Sequence, residues 1–585
     1  MENTCLKALQ KAIKDNGIDL YYMNTSDYHM SEYVPEYFRT IAYFSGFTGS
    51  LATLLVSPED AHIFVDGRYY GQADRQCIPN GVKTIHLGSN GAMEPIDFIL
   101  SNYKDGTIGL DGKRTSINFV KDLLKHNIKI KTVDIYSDLI EDRVALGNEK
   151  ISELALKYSG LTRKKKLELI EYCLDGKTHI VNNLESIAYI LNLRSKDIAN
   201  TPVFLAYLVF YNKSVYLFTD SSRFDNKTLD KLFEDGIIIR PYDTYYDFLG
   251  LIKKQQILVD FNKVNYETYV RINKNQNHIY NMRSLIEDMK SIKNNVEQNN
   301  IKQANIYDGV VMLRFLMWLD SIDKSTINEY DALLKMNELR LSYKAVDLSF
   351  NPIIAYGKNA AMMHYSPTAK KSTQLDNKGL LLMDVGGHYL EGTTDTTRTV
   401  ALGPVTDEMK KYFTLVLKSM FNLSELKFLR GLCGNQIDIV ARKDLWEVGV
   451  DYRCGTGHGI GYLLSVHETP PNIRYAKNDG SETELKPGMV FSDEPGVYFE
   501  KKFGIRCEND LLCKTVENNE YGQFLGFETL TMVPFDLKLI DKKLLDNKTI
   551  DALNNYHETV YNKLSPYLDE KEKAFLRKLT KKIWR

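Results

Sequence analysis

The segment Gly379-Leu-Leu-Leu-Met-Asp384-Val-Gly-Gly-His-Tyr-Leu-Glu-Gly-Thr-Thr-Asp395-Thr-Thr-Arg-Thr-Val400 contains two aspartates in a predicted pair of strands. The apolar run before Asp384 predicts a buried strand, the glycine pair predicts a turn, and the run around Asp395 predicts the returning strand. The two aspartates can therefore face each other across a hairpin. Their separation of eleven residues is odd, and side chains alternate faces along a strand, so the turn or a bulge must set the register.

Three more residues of metal-ligand type follow in glycine-rich segments. His458 lies in Gly455-Thr-Gly-His-Gly-Ile-Gly461, where the small neighbours leave its ring little to pack against and favour a ligand role. Glu494 is expected at the end of one apolar strand, and Glu508 is expected within another. A buried glutamate requires a partner.

Taken singly, an aspartate in a turn usually caps that turn, and a glutamate in a strand usually faces water. The combined set is more specific, because four carboxylates in one pocket repel one another unless cations neutralise them. Carboxylates with a single imidazole suit hard divalent ions such as manganese. The sequence therefore predicts a two-metal hydrolase site formed by five residues: Asp384, Asp395, His458, Glu494 and Glu508.

The order, spacing and glycine contexts of these segments resemble those of the aminopeptidase P (Xaa-Pro aminopeptidase) family, whose fold is that of the pita-bread metallopeptidases. The chain is most similar to the long, three-domain cytosolic form from eukaryotes. The similarity extends well beyond the ligand segments, to residues 45–50, 66–69, 187–194 and 528–534. One position departs from the family, since Thr469 stands where glycine is usual.

The resemblance implies a role for each ligand. Asp384 would bind one metal, His458 and Glu494 the other, and Asp395 with Glu508 both. It implies two divalent ions, with Mn²⁺ expected and Zn²⁺ or Co²⁺ as alternatives, that activate a water for attack on the peptide bond.

Two further histidines match the substrate-binding histidines of the family. They are His364 in Met363-His-Tyr-Ser-Pro367 and His467 in Val466-His-Glu-Thr-Pro470. The resemblance gives catalytic roles to His364, His467 and Glu494. For each histidine alone, a structural role is the alternative.

The first half of the chain contains an internal repeat. Residues 61–68 recur in outline as 214–223, and residues 108–111 recur as 257–260, with offsets of 154 and 149 positions. With the resemblance, this predicts an α/β (α+β) protein of two related N-terminal α/β creatinase-like domains and a C-terminal pita-bread domain. The expected boundaries are 1–150, 151–288 and 289–585, and a helix over 288–320 is expected to begin the third domain.

Composition restricts the partners. A net charge of −1 gives no electrostatic reason to expect nucleic acid or an anionic membrane surface. The seven cysteines are scattered without a C-x-x-C pair, which favours a reducing compartment. No apolar run reaches the length of a membrane span, so a cytoplasmic protein is expected.

Three functions follow for comparison. The leading one is an aminopeptidase that acts on peptides with proline at the second position, and the resemblance implies a homodimer. A prolidase, which cleaves only Xaa-Pro dipeptides, would share the five ligands, but the chain length and the duplicated first half argue against it. A binding scaffold derived from such an enzyme is the third, although scaffolds of that kind typically lose ligands.

Overall fold

The computed structural model describes residues 3–89, 91–477 and 480–584. These residues form two compact units. The first takes the chain up to Ala155 together with Leu161–Ile286, and the second takes Leu156–Gly160 and the chain from Glu287 onward. Both units contain helices and strands, so the expected α/β (α+β) class is confirmed.

The first unit contains two six-stranded sheets. Its strands are β1 Leu20–Asn24, β2 Thr53–Val56, β3 Ala61–Val65, β4 Lys83–His86, β5 Thr107–Leu110, β6 Lys129–Thr132, β7 Ser152–Glu153, β8 Thr178–Val181, β9 Leu193–Arg194, β10 Tyr207–Tyr211, β11 Ser214–Phe218, β12 Ile237–Arg240, β13 Gln256–Val259 and β14 His278–Asn281.

The two sheets repeat one topology. Their strand orders are β4-β3-β2-β1-β5-β6 and β12-β11-β10-β8-β13-β14. In both sheets the second, third and fourth strands of this order pair antiparallel, and all the other neighbouring strands pair parallel. The repeated sequence segments lie on corresponding strands, β3 with β11 and β5 with β13.

The described strands of the second unit form one six-stranded sheet and three smaller sheets. They are β15 Asp347–Leu348, β16 Ile353–Tyr356, β17 Leu380–Val385, β18 Gly387–Tyr389, β19 Gly392–Thr393, β20 Thr396–Ala401, β21 Phe428–Leu429, β22 Gly457–Gly459, β23 Glu468–Ile473, β24 Val490–Asp493, β25 Gly496–Phe499, β26 Phe503–Arg506, β27 Asn509–Asn519 and β28 Gly522–Thr529. The six-stranded sheet has the order β21-β28-β27-β24-β22-β23.

The described residues also form helices in both units. They are α1 Thr4–Asp15, α2 Thr40–Ser45, α3 Tyr70–Cys77, α4 Pro95–Asn102, α5 Ile117–Lys125, α6 Leu156–Ser159, α7 Arg163–Leu174, α8 Leu184–Leu191, α9 Asn226–Glu234, α10 Tyr245–Leu249, α11 Tyr266–Ile272, α12 Leu285–Ser291, α13 Asn295–Ser321, α14 Glu329–Leu341, α15 Asp407–Ser424, α16 Gly434–Trp446, α17 Asn547–Leu564 and α18 Glu570–Leu579. Within the described residues, none of them has the length and apolar character needed to cross a membrane.

The helix expected over 288–320 is interrupted. Helix α12 ends at Ser291, and α13 starts only after Asn294, whose side chain accepts hydrogen bonds from the backbone of Val296 and Glu297. The Glu297 side chain in turn accepts from the Asn294 backbone, which completes a capping box. The spacing of apolar residues predicted one continuous helix, because this spacing is the same on both sides of the break and does not depend on the capping residue Asn294.

A large apolar cluster supports the second unit. It combines buried residues of α13, α15 and β26 with the C-terminal helices, including Leu553 of α17 and Leu576 of α18. The charged C-terminal segment therefore packs against the domain that carries the predicted ligands, and its role is structural.

Candidate metal centre

Each predicted ligand lies in or beside a strand of the second unit. Asp384 lies in β17, Asp395 directly precedes β20, and His458 is the middle residue of β22. Glu494 directly follows β24, as its segment predicted. Glu508 was expected within a strand and instead lies between β26 and β27.

The position of Glu508 has a clear cause. The chain leaves its pairing with β25 at Arg506 and begins its pairing with β24 at Asn509, so it changes sheets at Cys507 and Glu508. The Glu508 backbone N–H donates to the Thr397 carbonyl at 3.2 Å, and the Thr397 hydroxyl donates to Glu508 Oε2 at 2.6 Å. This change of sheet brings the glutamate next to β20.

The pairing of β17 with β20 places the two aspartates on one face. Asp384 lies directly opposite Thr397. Residues directly opposite each other in an antiparallel pair share a face, and so do residues two positions apart along a strand. Asp395, two positions before Thr397, is therefore a diagonal neighbour of Asp384. The connection between the strands contains the small hairpin of β18 and β19. Residues that pair across β17 and β20, such as Asp384 and Thr397, are an odd number of positions apart, so the odd separation of the two aspartates is compatible with a shared face.

The ligand atoms of Asp395, His458 and Glu508 all lie within 4.8 Å of one another. His458 Nε2 lies 3.5 Å from Asp395 Oδ2 and 3.2 Å from Glu494 Oε1. The other ring nitrogen, Nδ1, lies 3.0 Å from the Gly459 carbonyl, to which it can donate. That hydrogen bond leaves Nε2 facing the carboxylates, in the orientation required of a ligand nitrogen.

Small residues make room for this arrangement. A Cβ on Gly457 would lie 1.8 Å from the Ser492 carbonyl, and a Cβ on Gly459 would lie 2.4 Å from the Glu468 carbonyl. The strands around His458 can approach this closely only because both neighbours are glycine.

Without cations, the cluster binds protons. Burial raises the pKa of Asp384 to about 7, although the Arg506 guanidinium beside it acts in the opposite direction. Burial, with repulsion from the neighbouring carboxylates, also holds the pKa of Glu508 well above its usual range. Burial acts to raise the pKa of Glu494, but the hydrogen bond and charge of His458, together with the charge of Arg506, outweigh it and lower the pKa to about 2. Burial lowers the pKa of His458, and the hydrogen bonds with two carboxylates reverse this and raise it well above its ordinary value.

These residues fit a pair of divalent cations. Oδ1 of Asp384 is buried and has no hydrogen-bond partner among the described residues, so it is available to an ion. Burying such carboxylates is costly unless protons or metal ions neutralise them. The donor set of four carboxylates and one imidazole suits hard divalent ions.

His467 lies beside this cluster. Its ring centroid is 4.3 Å from that of His458, with the two planes at 80°. It is not one of the three residues whose ligand atoms meet within 4.8 Å in the described chain.

His364 lies on the loop between β16 and β17. Two positions after it, the Ser366 hydroxyl donates to the Pro352 carbonyl at 3.2 Å. Pro352 directly precedes Ile353, which pairs with Asp384. The loop therefore returns to the start of β16, the strand that pairs with β17 and its predicted ligand Asp384.

Sequence reasoning missed Arg506. Its guanidinium forms a buried ion pair with Asp384 Oδ2, and its Nε donates to the Thr397 hydroxyl at 3.0 Å. A positive charge in a carboxylate cluster reduces the repulsion in the metal-free protein. The sequence held a signal for this role, because Arg506 lies two positions before Glu508. In an extended chain, residues two positions apart have side chains on the same face.

Sequence reasoning also missed a buried anchor behind His467. The next residue, Glu468, forms ion pairs with Lys290 and Lys293, and the side chains of all three are at most 5% exposed. The lysines precede α13 and are more than 170 positions from Glu468, so no local pattern could pair them. The anchor holds the start of β23, next to β22 and His458.

Family models cover most of the chain. Residues 299–515 match metallopeptidase family M24, and residues 523–583 match the C-terminal region of peptidase M24. The creatinase/prolidase N-terminal domain is matched twice, by residues 6–144 and 142–297.

Relatives match over the full length. A probable Xaa-Pro aminopeptidase P of Tuber melanosporum is 35% identical, over 97% of this chain and 96% of its own. Aminopeptidase P2 of Arabidopsis thaliana is 32% identical, over 94% of this chain and 84% of its own.

Two solved structures are similar to this chain, one over nearly its whole length and one over part of it. An X-prolyl aminopeptidase of Caenorhabditis elegans, described as a cytosolic enzyme with a di-nuclear active site, superposes with a TM-score of 0.91 at 28% identity, over 97% of this chain and 95% of its own. An Xaa-Pro dipeptidase of Bacillus anthracis covers 64% of this chain and 99% of its own, with a TM-score of 0.50 at 21% identity, which shows a shared fold alone.

Proposed function

Because this chain belongs to the Xaa-Pro aminopeptidase P family of M24 metallopeptidases, we propose that it removes the first residue from peptides whose second residue is proline. One observation carries the proposal: the ligand atoms of Asp395, His458 and Glu508 meet within 4.8 Å, in a chain that matches such enzymes over its full length. The complete ligand set argues against a binding scaffold without activity.

We assign the metal-binding roles as the family pattern implies. Asp384 would hold one divalent ion, His458 and Glu494 the other, and Asp395 with Glu508 both. Ions held in this way lower the pKa of a water and polarise the scissile carbonyl.

The chain's own groups prepare the site. The Gly459 carbonyl fixes the orientation of the His458 ring, and Arg506 and Thr397 hold the carboxylates of Asp384 and Glu508 in place. Such outer partners typically contribute about 10–100-fold to metal affinity or activity.

We assign substrate binding to His364 and His467, with a catalytic contribution from both and from Glu494. His467 is supported by its ring centroid, 4.3 Å from that of His458, and His364 by a loop that returns to the start of β16, which pairs with the Asp384 strand. Proline has no N–H and a fixed ring. A site for Xaa-Pro bonds must therefore recognise the apolar ring and the flanking carbonyls. Imidazole N–H groups can donate hydrogen bonds to those carbonyls.

We further propose manganese as the native ion, a homodimer, and a cytoplasmic location. The carboxylate-rich donor set supports manganese. The similar enzyme of C. elegans, described as cytosolic, supports the location. The dimer rests on the family resemblance. We keep the division into domains 1–150, 151–288 and 289–585 as a proposal, which the two repeated sheets support.

The direct test separates the aminopeptidase from a prolidase. Protein stripped of metal is re-supplied with Mn²⁺, Zn²⁺ or Co²⁺ and assayed on an Xaa-Pro-Yaa tripeptide and an Xaa-Pro dipeptide. We expect tripeptide cleavage, greatest with Mn²⁺, and little dipeptide cleavage. Cleavage of the dipeptide alone would identify a prolidase, and inactivity with every ion would favour the scaffold.

The metal-dependent gain in thermal stability should increase with pH. Asp384, with a pKa of about 7 in the metal-free folded protein, and Glu508 and His458, whose pKa values are also raised, hold protons more tightly when folded than when unfolded. Stability from such groups is present at low pH and is lost as the pH rises through the folded pKa. Cations replace the protons, so each proton released adds about 1.4 kcal/mol per pH unit to the stabilisation by metal.

Differential scanning calorimetry at pH 6, 7 and 8, with chelator or with Mn²⁺, measures this gap in Tm. The second unit spans about 300 residues, so each kcal/mol of added stabilisation should widen this difference in Tm by roughly 1.5–2 °C. Asp384→Asn removes one titrating group and should flatten the pH dependence. A gap that is the same at all three pH values would contradict cation binding at these residues.

A further inference from the structure

Glu329, at the start of α14, has a fully buried carboxylate. Oε1 accepts hydrogen bonds from the Tyr356 backbone N–H at 2.7 Å and from Asn359 Nδ2 at 3.0 Å. Oε2 accepts from Asn359 Nδ2 at 3.1 Å, the Tyr365 hydroxyl at 2.6 Å and the Thr373 backbone N–H at 2.7 Å. All four partners are neutral donors, so several hydrogen bonds, rather than an ion pair, offset the cost of burying this charge.

The four donors belong to one stretch of chain. Tyr356 ends β16, Asn359 lies in the short 3-10 helix Gly357–Ala361, and Thr373 lies shortly before β17. Tyr365 is between them. Glu329 thus fixes both ends and the middle of a connection whose only named element is that 3-10 helix. A connection this long loses much conformational freedom when it is ordered, and the carboxylate supplies hydrogen bonds that offset this cost.

This connection carries His364, directly before Tyr365. Its 3-10 helix packs against β26, where a Cβ on Gly504 would lie 1.8 Å from the Ala360 carbonyl. The same strand ends at Arg506, the partner of Asp384. The connection is therefore held against the strand whose last residue, Arg506, forms the ion pair with Asp384.

We propose that Glu329 is a positioning residue for His364. The inference rests on the proposed function, in which His364 contacts the substrate. When the Tyr365 hydroxyl is held by Glu329, the backbone at the preceding residue is held as well, so the imidazole is presented in one place. Misplacement of a substrate-contacting group by about 1 Å can cost on the order of 100-fold in rate.

Glu329→Gln is the informative substitution, because it keeps the size of the side chain. One carboxylate oxygen becomes an NH₂ group, which would face donors and cannot accept from them. We expect kcat/KM on an Xaa-Pro-Yaa peptide to fall by about 10–100-fold, as for loss of an outer-shell partner. Metal content should stay at the parental value, since none of the four donors is a predicted ligand.

A double-mutant cycle with His364→Ala separates positioning from general support of the fold. If Glu329 acts through His364, Glu329→Gln should add less than about threefold once the histidine is absent, because residues that act as a unit are not additive. Tyr365→Phe should give a smaller loss that also disappears in the His364→Ala background. Glu338→Gln changes an exposed glutamate of the same helix and should leave kcat/KM unchanged.

Each outcome decides one point. Equal losses in both backgrounds would show that Glu329 only supports the fold, and the inference would be wrong while the proposed function stands. If His364→Ala itself leaves kcat/KM unchanged, the substrate role of His364 fails. If Glu329→Gln does not fold, the cycle of Tyr365→Phe with His364→Ala decides the matter alone.

Discussion

Asp395→Ala is expected to abolish peptidase activity and reduce the bound metal from two ions per chain to one or fewer. Asp395 has 4% of its surface exposed, and its ligand atom lies within 4.8 Å of those of His458 and Glu508. As a ligand shared by both ions it should matter more than an outer-shell partner, so we expect a loss of more than about 100-fold.

The metal-free form of this variant should be close in stability to the metal-free parent, because the relief of repulsion between carboxylates is offset by the loss of one carboxylate partner of His458. Removing one of several buried carboxylates relieves repulsion in the cluster. The stabilisation by added Mn²⁺ should instead decrease in proportion to the metal that is lost. Elemental analysis with paired calorimetric scans measures both effects, and Asp551→Ala, an exposed aspartate of α17 in the same unit, is the control. An active Asp395→Ala enzyme holding two ions would refute the shared-ligand assignment.

Proline at the second position should raise kcat/KM by roughly 10²–10⁴ over alanine in matched Xaa-Pro-Yaa and Xaa-Ala-Yaa tripeptides. Alanine brings an N–H into a site built for a tertiary amide, and burying an unpaired donor costs about 1–3 kcal/mol. The lost contact with the ring costs a similar amount. Each 1.4 kcal/mol is about a factor of ten in kcat/KM.

An N-methylalanine peptide separates the two contributions. It lacks the N–H, as proline does, but it also lacks the ring. We expect its kcat/KM to lie between those of the proline and alanine peptides, and the two steps measure the cost of the donor and of the lost contact. Comparable kcat/KM on proline and alanine peptides would replace the proline assignment with a general metallo-aminopeptidase.

The sequence alone predicted the local settings of the candidate ligands. Asp384, His458 and Glu494 lie where glycines and apolar runs predicted a strand, a close approach and a strand end. These features are local, because chain reversal at glycine and burial of an apolar strand depend on a few neighbouring residues. The repeat in the first half was visible in the sequence because corresponding strands of the two sheets have similar local sequences, and these sheets have the same strand order.

The tertiary structure alone decided the register and the long-range partners. Pairing of Asp384 with Thr397 put the two aspartates on one face, and the change of sheets moved Glu508 out of a strand. Glu329 and Tyr365 are 36 positions apart. Such contacts depend on which surfaces meet after the chain has folded, and neither periodicity nor composition carries that information.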